Sequence, residues 1–583
     1  PRTLTPMVNL DFAAKSYARK GRTVLFDDLL TYTRPSSATF INRRIDVDGG
    51  YEYFLDTDYV GDVTNLLTYS EDFSNADWSK IIGGSGVQPT VSANKSLAPD
   101  GSLSADTITF NAGGSGGANL SYVQQFVSVQ TSLTASVWLK SQSGNTQVLL
   151  RSGGTDTAIT LTSEWVRYTS LASVNFDRLA IIIRGDLTGA NDVVLDVFGA
   201  QLTASTKPLP YVKTLASAVT QTFTETLRVE YDAATGENLG ALIEGGSTNL
   251  ALYSEDFSNA AWENLNCPIT TNAAIAPDGT LSANKMTPDT TSGRHRVKQG
   301  ITITSGNTYT HSLYCKPAGY NFLEVGFYIS QVGEYSTATV NLTDGSFTEL
   351  ITGTSFTNVS VIVKKVNDYF KITVTATIAD VTADAYIRIN DGSGTIFVGD
   401  GVSGVYVWGS QFEAQPFATS YISTEGAAVS RSSDNLSLPA SGNMPPHNKE
   451  FTLNIDFAIN GLPSGNAYLY DNGIDGGVVR FSRLSSTGTT VAADGSSSGT
   501  VITNPATINE KINHIITREY NNTVTTWYLN KVEKGGITIA PSSNNWPSFS
   551  VGSTKTFSQH INGHISKLST YAQALTAQEI TLL

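Results

Sequence analysis

Cysteine is almost missing from this chain: Cys267 and Cys315 are the only two in 583 residues. A secreted disulfide scaffold uses many more, so the fold must rest on packed cores, and the two thiols read as buried and free ahead of bridged. Charge is scarce as well. Asp, Glu, Lys and Arg make up 15% of the chain, against 40% hydrophobic and 10% aromatic residues, the reverse of the balance that keeps chains disordered. No run approaches the roughly 20 apolar residues of a membrane-spanning helix. No basic start followed by an apolar stretch marks a secretory leader. These absences set the expectation of a protein made in a cytoplasm, not inserted in a membrane, that reaches the outside by lysis or as part of a particle. The net charge of -14 argues against broad binding to nucleic acid or anionic membrane. Helical periodicity is also rare, with only Asp11 to Lys20 and Thr576 to Leu583 carrying it.

What the chain does have is an internal repeat. TNLLTYSEDFSNADW, from Thr64, returns as TNLALYSEDFSNAAW from Thr248. APDGSLSAD from Ala98 returns as APDGTLSAN from Ala276, ASVWLKS from Ala135 as HSLYCKP from His311, EWVRYTS from Glu164 as DYFKITV from Asp368, and FGAQLTA from Phe198 as WGSQFEA from Trp408. Five blocks in one order are a duplication. The offset grows from 184 (64 to 248) to 210 (198 to 408), so the second copy carries an insertion, mainly between Cys315 and Asp368. Alternating runs such as GVYVWGSQF, broken by Pro-Asp-Gly turns, predict strands with one buried face. Each copy should form its own antiparallel sandwich. Trp78, Trp165, Trp262 and Trp408 fall in or beside repeat blocks and read as core.

From about Asp434 the pattern changes. FTLNIDFAI alternates cleanly, TVTTWYLNKVEKGG reads as strand, turn, strand, and His564 to Tyr571 is a strand. Thr576 can cap a short terminal helix with Glu579 three residues on. The fold class is therefore all-β: tandem antiparallel sandwiches with a small mixed N-terminal region. The expected boundaries are 1–62, 63–206, 207–247, 248–428 and 429–583, with 207–247 a connecting segment that packs with the first. Lys15, Arg19, Lys20, Arg22, Arg34, Arg43 and Arg44 make the first region basic, which reads either as a solvated surface or as a docking segment for an acidic partner.

Catalytic motifs do not hold up. Gly113 to Gly117 and Gly495 to Gly499 match the spacing of a nucleophile elbow, but both lie in Gly/Ser-rich stretches with no helix to follow. His560 and His564 would share a metal only on a helix, and the stretch reads as strand or turn. No Glu-x-Asp-x-x-Glu string of glucanase type occurs in the last unit. The expectation is a protein that is not an enzyme.

LYSEDFSNAAW, APDGTLSANK and VYVWGSQFEAQPFATSYI together resemble the carbohydrate-binding-module-like domains of bacteriophage tail-fibre and virion surface proteins. RVEYDAATGENLGALIEGGSTNL is similar to the segment that precedes such a domain, and LTYTRPSSATFIN to what lies upstream of that. The last unit resembles laminin-G/concanavalin A-like lectin sandwiches through its WYLN strand and GHISKLSTYAQALTAQEI ending. The resemblance implies jelly rolls, attachment to a bacterial surface glycan, an N-terminal region anchored to other virion proteins, and a homo-oligomer, trimeric by family analogy. A head-decoration protein, a ligand-free structural tail component and a polysaccharide-degrading enzyme are the alternatives.

Related modules often hold a structural calcium between first and last strands. Glu71, Asp72 and Gln201 in one copy, and Glu255, Asp256, Gln411 and Glu413 in the other, are the matching hard-oxygen candidates; the alternative is that each Asp caps a turn and each Glu faces solvent. For sugar, which needs a ring under its C–H face and polar groups at its rim, the strand GYNFLEVGFYIS offers two faces. Leu323, Val325, Phe327 and Ile329 suit a core, whereas Tyr320, Phe322, Glu324 and Tyr328 form an aromatic stripe with an acid. That stripe could bind sugar, pack on another protomer or cover the domain's own second layer. In the last unit Trp546 is the candidate exposed ring, and Trp527 reads as packed.

Overall fold

The structure is a computed structural model. It describes residues 6–20, 22–24, 30–45, 51–130, 133–142, 144, 146–172, 176–187, 191–205, 208–439, 443, 449–461, 467–471, 480–484, 490–493, 501–502, 510–519, 524–538, 548–553 and 560–583. Among them a single helix, Ala577–Ile580, stands against strands throughout. Thr576 and Glu579 close its capping box as expected. The chain forms two compact units, one of Tyr59–Thr224 with Gly279–Leu281, the other of Pro1–Asp58, Glu225–Asp278 and Ser282–Leu583.

The first unit is a jelly roll of two five-stranded antiparallel sheets. One has the order Val166–Ala172, Leu133–Ser141, Val193–Thr203, Ala105–Asn111, Val87–Ser96; the other has Thr155–Leu161, Thr146–Ser152, Phe176–Arg184, Leu120–Gln130, Ser79–Gly83. Period two sorts the side chains: in Phe176–Arg184, Leu179, Ile181 and Ile183 enter the core while Ala180 and Ile182 face outward.

The second unit holds the second jelly roll, whose sheets have six strands each. The insertion explains the difference. Between Ala318 and Tyr369 it places Phe322–Ile329, Glu334–Asn341, Phe347–Ile351 and Phe356–Val366, where the first copy has only Thr146–Ser152 and Thr155–Leu161. Cys267 and Cys315 are free and buried in it. Burial pushes the Cys267 thiol up to about 12 and the Cys315 thiol up further, so neither is a ready thiolate.

The repeat blocks specify the same bonds twice. Asn65 donates to the carbonyls of Ala200 and Val212 and accepts from the N–H groups of Leu67 and Leu202. Asn249 does the same with Ser410, Ile422, Ala251 and Phe412. Each tryptophan donates from its indole nitrogen to a tyrosine carbonyl, Trp78 to Tyr69 and Trp262 to Tyr253. Each also packs on a phenylalanine, with ring centroids 4.6 Å apart for Phe73–Trp78 and 4.8 Å for Phe257–Trp262. The glycine of the closing block is needed both times. Gly199 has φ +60° and Gly409 φ +67°, and a Cβ would meet Trp138 at 2.8 Å or Tyr421 at 3.2 Å. Trp78, Trp262 and Trp408 are core residues, while Trp165 is half-buried.

The second unit also contains the C-terminal sandwich. Its main sheet runs Arg22–Thr23, Ser16–Arg19, Val8–Asp11, Gly563–Tyr571, Phe451–Ile459, Ile512–Arg518, Val524–Leu529, Val532–Thr538. The helical expectation for Asp11 to Lys20 is therefore wrong, and the N-terminal region is β rather than mixed. Val8–Asp11 pairs with the last strand, Asn9 opposite Ser569, and buries Val8, Leu10 and Phe12 in the shared core with Phe451, Trp527 and Leu568. The turn that follows puts Lys15 at φ 50°. The connecting segment joins the same sheet through Asn238–Ile243, Ala241 opposite Ile565, and Glu230 accepts the Ile41 N–H and pairs with His564.

A buried charge clasp ties these distant segments together. Arg228 donates to Glu244 and Asp434, Arg34 to Asp58 and Asp434, and Tyr32 donates to Asp434. Arg431 completes it, and Arg34, Arg228, Arg431, Glu244 and Asp434 are all buried. Burial alone would raise Asp434, but Arg228, Arg431 and Arg34 hold it down to about 2. Three guanidinium groups face three carboxylates, the balance a buried network requires. Arg34 is thus no part of a basic docking surface. Arg43 stacks on Tyr231 at 4.4 Å, and Lys15, Lys20 and Arg22 remain exposed.

Candidate functional site

The strand Phe322–Ile329 lies inside the six-stranded sheet Glu263–Leu265, Arg296–Thr302, Thr382–Asn390, Phe322–Ile329, Glu334–Asn341, Phe347–Ile351. Leu323, Val325, Phe327 and Ile329 enter the core. Phe322, Glu324 and Tyr328 face outward. Tyr320, just before the strand, leaves the stripe and packs on Phe397 at 5.4 Å beside the core.

Neighbouring strands fill the outward face by the same alternation. TADAYIRIN, from Thr382, sends Ala383, Ala385 and Ile387 inward and leaves Asp384, Tyr386 and Arg388 outside. Tyr328 and Tyr335 stack with centroids 4.4 Å apart and planes at 21°, and Tyr386 stands 5.4 and 5.5 Å from them. Cations edge the rings: Lys298 lies 5.5 Å over Tyr328, and Arg388 5.5 Å over both Tyr335 and Tyr386.

Each cation has its own acid. Arg388 donates from Nε to Glu324 at 2.8 Å, and Glu324 also accepts from Thr337. Lys298 donates to Asp384 at 3.0 Å and to Ser330, and Ser330 also donates to Asp384. Arg296 bonds Glu263 at 2.9 Å. Glu324, 1% exposed, is therefore a structural counter-ion and not the rim acid expected from the stripe. On this face two buried donors have no partner among the described residues, the Tyr386 hydroxyl and Arg296 Nη1. Burial pushes the Tyr386 phenol upward, so it keeps its proton for an acceptor. Tyr335, Tyr386, Arg388, Lys298 and Asp384 were missed in the sequence. The signal was present in the alternation of TADAYIRIN, but no string says which strands become neighbours.

The calcium candidates are not brought together. Glu71 bonds Lys213 and Tyr211, and Asp72 caps its own turn by accepting from the Ser74 and Asn75 N–H groups. Glu255 accepts from Tyr421, and Asp256 caps the turn at Ser258. Gln201 and Gln411 spend their amides on the corners that follow, donating to the carbonyls of Leu209 and Pro210 in one copy and Thr419 and Ser420 in the other. Glu413 accepts from Ser247 and Thr419, and burial raises it. Among the described residues no three His, Cys, Asp or Glu are grouped to hold a metal ion. His560 faces Asn435 while His564 faces Glu230. Gly113 to Gly117 is a loop with no helix after it. Trp546 and Gly495 to Gly499 lie outside the described residues.

Residues 430–581 match a family described as Laminin_G_3, the concanavalin A-like lectin/glucanases superfamily. No curated protein matches the chain in sequence. Among solved structures it is similar to the CBM22-1–CBM22-2 tandem domain of Paenibacillus barcinonensis, at 13% identity and TM-score 0.18 over 60% of this chain and 98% of that one. It is also similar to Trypanosoma rangeli sialidase, at 9% identity and TM-score 0.22 over 94% and 98% of the two chains.

Proposed function

We propose that this chain is a non-enzymatic adhesive protein of a bacteriophage particle, and that its second jelly roll holds a surface glycan of the host on the outer face built around Tyr328. The observation that carries this is the packed tyrosine triad edged by cations, with two buried donors left for a ligand's oxygens. Rings cover sugar C–H faces and fixed donors meet hydroxyls. The lectin-superfamily match of the last unit supports a glycan, and the repeat motifs described first support a virion. The acids of this face favour holding over cutting: Glu324, Asp384 and Glu263 are each engaged by a cation, so no free pair is offered for acid–base work. The N-terminal region would meet other virion proteins, and several copies per particle would compensate for weak single sites through effective concentration.

Whole-cell binding by the full chain tests the reading. Tyr328→Ala should lower retention on host cells by more than tenfold while leaving thermal unfolding within a degree or two. Undiminished retention would overturn it, and release of reducing ends from host polysaccharide would revive the enzyme. Labelling residue 1 on particles in electron micrographs separates tail from head, and sedimentation gives the oligomer. A packing role without ligand is favoured at one place, the outer face of the first roll, where Leu149, Ala180 and Ile182 form an apolar cluster with Leu120, Tyr122 and Leu187.

A further inference from the structure

Both jelly rolls carry an aromatic layer on the outer face of the sheet that contains their closing block, and the two layers differ in exposure. In the second roll Tyr314, Tyr369 and Tyr421 are at most 5% exposed. They lie in one cluster with Leu55 and Ile41 of the hairpin Ala38–Ile45, Tyr51–Asp58. The matching residues of the first roll, by the alignment of the repeat blocks, are Trp138, Trp165 and Tyr211, all half-buried.

A cation rests on the layer in each roll. Lys371 Nζ stands 5.6 Å over Tyr314, and the matching Arg167 stands 4.7 Å over Trp138. Their surroundings differ. Burial disfavours the Lys371 charge, but Tyr314, Glu413, Glu230 and Glu244 outweigh it. Arg167 has no ion pair among the described residues. The position of Glu413 is taken by Thr203, Nη2 bonds Ser136 Oγ and the Leu209 carbonyl at 2.8 Å each, and Nε is buried without a partner. Desolvation lowers this guanidinium to about 10, as expected of a cation taken from water without a counter-charge.

We propose that the first jelly roll binds a carboxylate-bearing sugar at Arg167, with the sugar ring against Trp165 and Tyr211. A guanidinium without a counter-charge attracts a carboxylate, and half-exposed rings beside it suit the C–H face of a hexuronate. The site lies on the other copy from the tyrosine triad and stands or falls without it.

Calorimetry on the full chain tests this with glucuronate, galacturonate and mannuronate, each beside its neutral hexose. At least one hexuronate should bind tenfold or more tighter than its hexose. Arg167→Gln should erase that difference without lowering the unfolding temperature, because it removes an unanswered charge. Thr203→Glu, which supplies the acid of the second copy, should also erase it and should raise the unfolding temperature. Tyr328→Ala should leave it intact. Equal affinity for acid and neutral sugars, or full hexuronate binding by Arg167→Gln, would overturn the proposal. So would Arg167-dependent binding of an oligoglutamate peptide with no hexuronate binding, which would make the face a protein-docking surface.

Discussion

In the second jelly roll the corner Thr419–Tyr421 hands donors to the charge clasp: the Ser420 N–H and hydroxyl both bond Glu244, and Arg228 donates back to the Ser420 oxygen. In the first roll the matching corner is Leu209–Tyr211, and Pro210 stands where Ser420 would. Proline has no N–H to leave unanswered, so the first corner needs no clasp. The internal bonds of Asn65 and Asn249, or of Gln201 and Gln411, remain the same. Duplication therefore kept the bonds that close each sandwich and let the external corner change, giving one roll whose corner is fastened to the clasp and one whose corner is not.

Hydrogen exchange, which reports each roll separately, can break that comparison. The largest effect is expected from Asp434→Asn, which strips the clasp of its central acid. It should destabilise the second unit by roughly 3–5 kcal/mol, the cost of leaving buried guanidinium groups underpaired, and leave Tyr59–Thr224 unchanged. Equal loss in both units would refute the division. Acid should act in the same direction. Asp434 and Glu230 are held down to about 2, below their unfolded values near 4. The stability they lend is present above pH 4 and lost as pH falls toward 2, on the order of a few kcal/mol, partly offset by Glu413, which is shifted upward. In the first roll burial raises Asp106, so its acid limb should be flatter.

Exchanging the corners is the next test. Ser420→Pro should cost about 2 kcal/mol by taking the N–H and hydroxyl donors from the buried Glu244, while Pro210→Ser should stay within about 0.5 kcal/mol, as surface changes away from such features do. The smallest effects should be equal. Asp72→Ala and Asp256→Ala each remove a turn cap and should each cost about 1 kcal/mol, with no change on adding a calcium chelator. A chelator that destabilises the wild-type chain would show instead that these acids hold an ion.

The sandwiches were legible because their signals are local. Alternation marks each strand, Pro-Asp-Gly marks the turns, and the repeat itself marks two units; the capping box at Thr576 was equally plain. Partners far apart in sequence were not legible. Asp11 to Lys20 has helical spacing, and only the pairing of Asn9 with Ser569 makes the stretch begin as a strand. Arg34 sits in a run of basic residues that reads as surface, and it is buried because Asp434 arrives 400 residues later. The stripe on Phe322–Ile329 was found, but Glu324 could not be told from a ligand contact until Arg388 lay beside it. The acids of Tyr-Ser-Glu-Asp invite a metal because carboxylates do, whereas in the structure Asp72 and Asp256 each accept from the turn that follows and Glu71 and Glu255 from Tyr211 and Tyr421.

The pairing of Asn9 with Ser569 also sets a timetable. A ribosome adds roughly 5–20 residues per second, so the opening strand leaves the exit tunnel about half a minute to two minutes before its mate exists. For that interval Leu10 and Phe12 have nowhere to go, while both repeat copies can finish folding. Whatever shields those two side chains from aggregation during translation, a chaperone or a transient non-native contact, must let go when residue 569 emerges.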